Sequence, residues 1–198
     1  MVMPRGKRES LTADDWIRAA LGALAQGGVA AVAVEPLAKS LGTTKGSFYW
    51  HFADRNALLA AALDHWEKRD TDRVIAAVDT TQDAATRLRA LLRLTFTSIL
   101  EGSRDTAGAV ELALQANASH DLVSPTLTRV TKRRLAFLTS LFTEQGLSPA
   151  RARDRALLAY TAFLGHTQLA HATPGLLPKG RAFHHHVNEL VESLTAVD

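Results

Sequence analysis

The sequence predicts an all-α protein, and three observations carry that reading. Ala (34) and Leu (29), both strong helix formers, fill nearly a third of the 198 positions. Val, Ile and Tyr are spread too thinly to supply the strands of a sheet. Apolar residues recur at three- and four-residue spacing in stretches bounded by hydroxyl, Asp, Gly or Pro signals, the punctuation of helices.

About nine helices follow in order. Thr12 is placed to cap a first helix with Asp14 and Asp15 in its opening turn, Trp16, Ala20 and Leu24 on its apolar stripe, and Gly27-Gly28 at its end. A second, short helix runs from Glu35-Pro36 to Leu41-Gly42, with Pro in the first turn and Gly at the stop. Thr44 caps a third of about seven residues carrying Lys45, Ser47, Phe48, Tyr49, Trp50 and His51. Asp54 opens a long fourth helix through Leu58, Ala62, Trp66 and Val74 to Val78, about eight turns. The fifth carries Leu88, Leu92, Phe96 and Ile99 and stops at Gly102; the sixth runs from Thr106 to about Ser119. The seventh spans Ser124-Pro125 to Gly146, and Ser148-Pro149 opens the eighth, which ends by Pro174-Gly175. The last places Phe183, Val187, Leu190, Val191 and Leu194 on one stripe.

Composition excludes several function classes. The chain has no Cys, which removes disulfides, thiolate metal sites and Cys nucleophiles and suits a reducing cytoplasm. No apolar run reaches the roughly 18 to 20 residues that cross a bilayer, and Met1 to Ser10 lacks the apolar core of a signal peptide, so a cytoplasmic protein is expected. A net charge of +3 is too small for a general polyanion binder, so any basic surface is local. Arg5, Lys7 and Arg8 form a small basic N-terminal arm, read as a tail rather than a minor-groove contact. No Gly-rich phosphate loop or His-Glu-x-x-His run is present, so neither an enzyme nor a cofactor is expected. His184, His185 and His186 point about 100° apart on a helix and cannot meet one ion, which leaves a solvated face and no metal site.

The segment Leu37-Ala38-Lys39-Ser40-Leu41-Gly42-Thr43-Thr44-Lys45 has the grammar of a helix-turn-helix. Ala38 lets two helices cross closely, Gly42 can adopt a positive φ at the corner, and the hydroxyl of Thr44 caps the helix that would enter DNA. Continued through Gly46-Ser47-Phe48-Tyr49-Trp50-His51-Phe52-Ala53-Asp54-Arg55-Asn56-Ala57-Leu58, it resembles the signature of the tetracycline-repressor-like (TetR) family of bacterial regulators, with its aromatic-x-His-Phe step and following basic residue.

The resemblance covers residues 12 to about 60 and implies a DNA-binding domain over residues 1–53 and an effector-binding and dimerisation domain over residues 54–198. Lys45 and Ser47 are assigned to base edges, Thr44 to capping and a phosphate, Gly46 to close backbone approach, Tyr49, Trp50 and His51 to phosphate or sugar, and Arg55 to a phosphate. The implied function is a homodimeric repressor on a pseudo-palindromic operator, released by a small molecule; a regulator of the same architecture with no effector, or one controlled by a protein partner, remains the alternative. Helices eight and nine, with Leu157, Tyr160, Phe163, Leu164, Phe183, Val187, Leu190 and Val191, are expected to form the dimer interface. Trp66, Phe96, Phe137 and Phe163 are expected to surround one effector cavity of roughly 300 Å³ or more. Glu111, Gln115 and His166 are its expected polar anchors, favouring a ligand with a hydrogen-bond donor or cationic nitrogen.

Overall fold

The computed structural model describes residues 11–78, 83–101 and 107–196, and these are helical with no strand. The elements are α1 (Ala13–Ala31), α2 (Val34–Ser40), α3 (Lys45–Tyr49), α4, α5 (Ala84–Glu101), α6 (Ala107–Ala116), α7 (Val123–Glu144), α8 (Pro149–Ala172) and α9 (Arg181–Thr195). Helix α4 is a continuous run of Arg55–Glu67, a π-helical turn Lys68–Asp72 and Arg73–Val78. Over Arg55–Val78 it is roughly seven turns long. The arm of Arg5, Lys7 and Arg8, the expected stop at Gly102 and the expected start at Thr106 lie outside the described residues.

Side-chain caps mark the starts of α1, α3, α4 and α8, whereas α2, α7 and α9 begin without one. Thr12 and Asp15 form a reciprocal capping box, and Thr44, Asp54 and Ser148 each accept from a backbone N–H in the first turn of the helix they precede. Gly27-Gly28 breaks α1 without ending it. Gly28 takes φ +67°, and one further turn carries the chain to Ala31, burying Val29. The break also makes room: a Cβ on Gly28 would lie 2.9 Å from Asn117 Nδ2 at the end of α6. At the α2–α3 corner Gly42 takes φ +64°, as the helix-turn-helix requires. Helix α3 has five residues rather than seven, Lys45–Tyr49, with Trp50 still in the right-handed helical region as its C-cap.

Two cores hold the molecule. The first joins Trp16, Leu24, Leu37, Phe48, Leu58 and Trp66 of α1–α4 to Val110 and Leu114 of α6 and Val123, Leu127 and Val130 of α7. The reading helices therefore share a core with part of the body. Complete burial of Trp16, Phe48 and Leu58 stabilises this unit by about 1.5–3 kcal/mol each. The second core joins Val78, Leu88, Leu92 and Phe96 to Leu138, Phe142, Ala156, Tyr160, Phe183, Val187 and Val191. Among the described residues no helix is long and apolar enough to cross a membrane.

Candidate functional site

The N-terminal site is built on one buried ring. Phe48 is fully buried, edge-on to Trp16 of α1 at 5.3 Å and stacked on Phe52 at 5.7 Å. With Phe48 turned inward, its sequence neighbours are turned out. Tyr49 is 55% exposed and Trp50 88%, an unusual state for an indole with no partner to cover it. Thr44, Lys45, Gly46 and His51 are exposed as well, while Ser47 is half-buried and gives its backbone N–H to Thr44 Oγ1 at 3.4 Å. Seven of the eight residues assigned to DNA thus lie on one continuous segment, Thr44 to His51.

Lys45 is not free. Its Nζ lies 2.9 Å from Glu35 Oε1 of α2, which holds the Lys45 ammonium above its ordinary range and the Glu35 carboxyl below its own. Glu35 was not singled out in the sequence; its place in the opening turn of α2, facing the start of α3, is the signal. Arg55 differs more. Its Nε and Nη2 donate to the carbonyls of Val32 and Val29, tying the start of α4 to the α1–α2 connection. Those two donors are aimed into the fold and make Arg55 a clamp between α4 and the α1–α2 connection.

The body departs further from expectation. Trp66 sits in the first core while Phe96 is fully buried in the second, so the four aromatics do not surround one centre. Phe137 and Phe163 both line a cavity of about 80 Å³ whose walls include Leu91, Leu92, Leu138 and Ala159. That is below the roughly 300 Å³ expected of an effector site. His166 lies edge-on to Phe96 at 5.2 Å, and its Nδ1 and Nε2 meet Ala162 O at 2.8 Å and His186 Nε2 at 3.0 Å. His184 and His185 are exposed, but His186 is half-buried against His166 instead of facing solvent. No group of three or more His, Asp or Glu is placed to hold a metal among the described residues.

Glu111 is buried and accepts from Gln115 Nε2 at 3.1 Å, so the expected pair forms. Its charge is already answered, however: Arg134 Nη1 of α7 donates to Glu111 Oε2 at 2.8 Å. Burial disfavours the Arg134 charge, but Glu111 and the Tyr160 hydroxyl beside it more than offset this and hold the guanidinium above its ordinary range. The carboxylate expected to anchor a ligand thus has a resident cation.

Arg134 went unread in the sequence, and it does more than pair with Glu111. Its Nε donates to Thr71 Oγ1 at 3.0 Å and its Nη2 to Asp70 O at 3.3 Å, and its guanidinium lies over the Trp66 ring at 5.3 Å. Arg129 pairs with Glu67, and Arg133 with Asp72 at 2.6 Å. Three arginines of α7 therefore grip the π-helical turn of α4. The signal was present as Arg129 and Arg133-Arg134 on one helix opposite Glu67, Asp70 and Asp72 on another.

The comparisons agree with this architecture. Over the whole chain the fold matches a transcriptional regulator from Rhodococcus sp. Rha1 (19% identical, TM-score 0.73, 93% of this chain and 96% of that one). It matches the transcriptional regulator FadR from Bacillus subtilis in complex with stearoyl-CoA (18% identical, TM-score 0.72, 93% and 98%). It also matches AibR in complex with isovaleryl coenzyme A and operator DNA (18% identical, TM-score 0.70, 92% and 97%). At these identities the likeness establishes the fold. No curated relative matches at the level of sequence. Residues 17–62, from α1 into α4, match the family model of bacterial regulatory proteins of the tetR family, and that module stands at the head of a chain whose fold is that of these transcriptional regulators.

Proposed function

We propose that the protein is a homodimeric transcriptional repressor that acts in the cytoplasm on a pseudo-palindromic operator, with residues 1–53 as the reading unit and residues 54–198 as the body. The observation that carries this is the outward segment Thr44 to His51 on a capped helix in a tetR-family module, with Tyr49 and Trp50 exposed and uncovered. Lys45 and Ser47 read base edges, and Thr44, Tyr49, Trp50 and His51 hold phosphate or sugar while Gly46 lets the backbone close in. A short α3 suits this task, because only its first turn needs to enter the groove.

The dimer forms through α8 and α9. Support comes from Leu157 (53% exposed), Leu158 (50%) and Leu169, large apolar side chains of α8 that the protomer leaves exposed. Tyr160, Phe183, Val187 and Val191 are not part of it, since they are buried in the protomer's own core. Two recognition helices held by such an interface would enter successive major grooves about 34–36 Å apart.

Release by a small molecule is supported by the solved structures of similar fold that hold acyl-coenzyme A ligands. Control without a resident effector, or by a protein partner, is the second reading, and the small cavity of about 80 Å³ favours it. Both readings are tested by titrating the full chain on DNA flanking its own gene while following its mass by sedimentation. The proposal expects a discrete complex of two chains per site; a chain that stays monomeric, or that binds all DNA alike, would overturn it.

A further inference from the structure

The body cavity is apolar on most of its wall and polar at one end, where Arg134 and Asp70 reach it. What that end can accept is decided by charge. Among the described residues each acid at or facing the π turn has an arginine: Glu67 has Arg129, Asp70 has Arg69, Asp72 has Arg133 and Glu111 has Arg134. A ligand bearing an ammonium or a carboxylate would bring an unmatched charge among Leu91, Leu92 and Phe163. Taking Arg134 for itself would strand Glu111, whose side chain is 4% exposed.

Donor capacity points the same way. Both oxygens of Asp70 are engaged by Arg69, at 2.6 and 2.8 Å. The Thr95 hydroxyl gives its proton to the backbone of its own helix, and Tyr160 shares its hydroxyl with Thr131 Oγ1 at 3.2 Å. Arg134 donates to Thr71, Glu111 and the Asp70 carbonyl and also meets the Tyr160 hydroxyl, still fewer partners than its five N–H groups can serve. We infer that this cavity binds a short, uncharged molecule whose oxygen, a carbonyl or a hydroxyl, accepts from Arg134 while its carbon chain lies against Phe137 and Phe163.

The volume fits such a ligand. At about 80 Å³ the cavity has room for a molecule of a few carbons and no more. The inference rests on the ligand-responsive form of the proposed function for its effect on DNA. Because Arg134 also holds Thr71 and the Asp70 carbonyl, a ligand that draws the guanidinium inward loosens the π turn of the helix that begins at the reading unit.

The test is saturation-transfer NMR on the full chain with methyl ethyl ketone, butyrate and butylamine as probes. Alongside the wild type stand Ala159→Val, which fills the cavity without touching an ion pair, and the double variant Arg134→Met/Glu111→Gln, which removes both charges together. The ketone alone should bind, and at least tenfold more weakly in each variant; should the double variant fail to fold, Ala159→Val decides. Binding of butyrate or butylamine as tight as the ketone's, ketone binding unchanged in Ala159→Val, or no binding by any probe would overturn the inference. DNA titration of the same preparation separates the two readings: DNA binding with no ketone binding refutes the ligand class alone, and ketone binding without DNA binding supports the site while refuting the regulator.

Discussion

The Nε atom of Arg55 lies 2.6 Å from the carbonyl oxygen of Val32, across 23 residues of chain. Its Nη2 reaches Val29 O in the turn that continues α1 beyond Gly28. One side chain thus satisfies two carbonyls at the end of α1 and fixes where α4 leaves the reading unit. Hydrogen bonds from a charged donor contribute about 1.5–3 kcal/mol each. Arg55→Met should lower the melting temperature clearly in calorimetry, and DNA affinity should fall only as far as the folded fraction does. An unchanged melt with lost DNA binding would return Arg55 to the phosphate role.

At the groove, Lys45→Ala should weaken operator binding by about 1–3 kcal/mol with an unaltered circular dichroism spectrum. Glu35→Gln should do the reverse. It removes a carboxylate that would face phosphates and releases the Lys45 ammonium from its 2.9 Å contact. Anisotropy titrations of both variants check this, and equal affinities for wild type, Lys45→Ala and Glu35→Gln would refute the assignment.

The capping box makes α1 sensitive to acid. Asp15 accepts from the Thr12 backbone N–H, from the Thr12 hydroxyl and from Arg18, which together bring its pKa from 3.8 to about 2. A carboxyl depressed in the folded state stabilises fully above its unfolded value, and that contribution is lost as the pH falls through the folded one. Stability should therefore decline between roughly pH 4 and 2 in the wild type. Asp15→Asn should flatten that part of the curve; parallel pH profiles for the two proteins would show that the cap contributes nothing.

The buried pair of Arg134 and Glu111 should behave non-additively. Either single variant, Arg134→Met or Glu111→Gln, leaves a buried group without its partner and should cost about 3–5 kcal/mol for the stranded Glu111 and less for Glu111→Gln. Removing both should restore most of the loss. Urea denaturation of the four proteins measures the cycle, and simple additivity would mean that the two residues do not depend on each other.

Leu158→Glu should yield well-folded monomers in sedimentation, because that side chain is exposed in the protomer. Leu190→Glu should lower stability first, since Leu190 packs against the second core. A dimer that persists in Leu158→Glu would place the interface elsewhere.

The legible part of this protein was local. Thr12, Thr44, Asp54 and Ser148 could be read as caps because a cap is defined within one turn, and Gly42 as a corner because positive φ is a property of a single residue. Helical periodicity likewise located the apolar faces. It could not say which partner each face meets, so Phe183, Val187 and Val191 were read as a dimer surface although they close the protomer's own core. Charge pairs were the hardest to see. Glu111 and Gln115 are four residues apart and were paired correctly, whereas Arg134 reaches Glu111 over 23 residues and Thr71 over 63. Nothing in a local pattern announces a π turn either; Lys68–Asp72 becomes intelligible only once Arg129, Arg133 and Arg134 are opposite it.

The central claim is that the segment from Thr44 to His51, presented twice by a dimer, reads a specific DNA sequence. Selection of bound duplexes from a random pool by the full chain, followed by footprinting of the winners, tests it most directly. The expected product is an inverted repeat whose half-sites lie about 34–36 Å apart, protected by two chains and lost in Lys45→Ala. A pool that stays random after selection, or a single unpaired half-site bound by one chain, would contradict it.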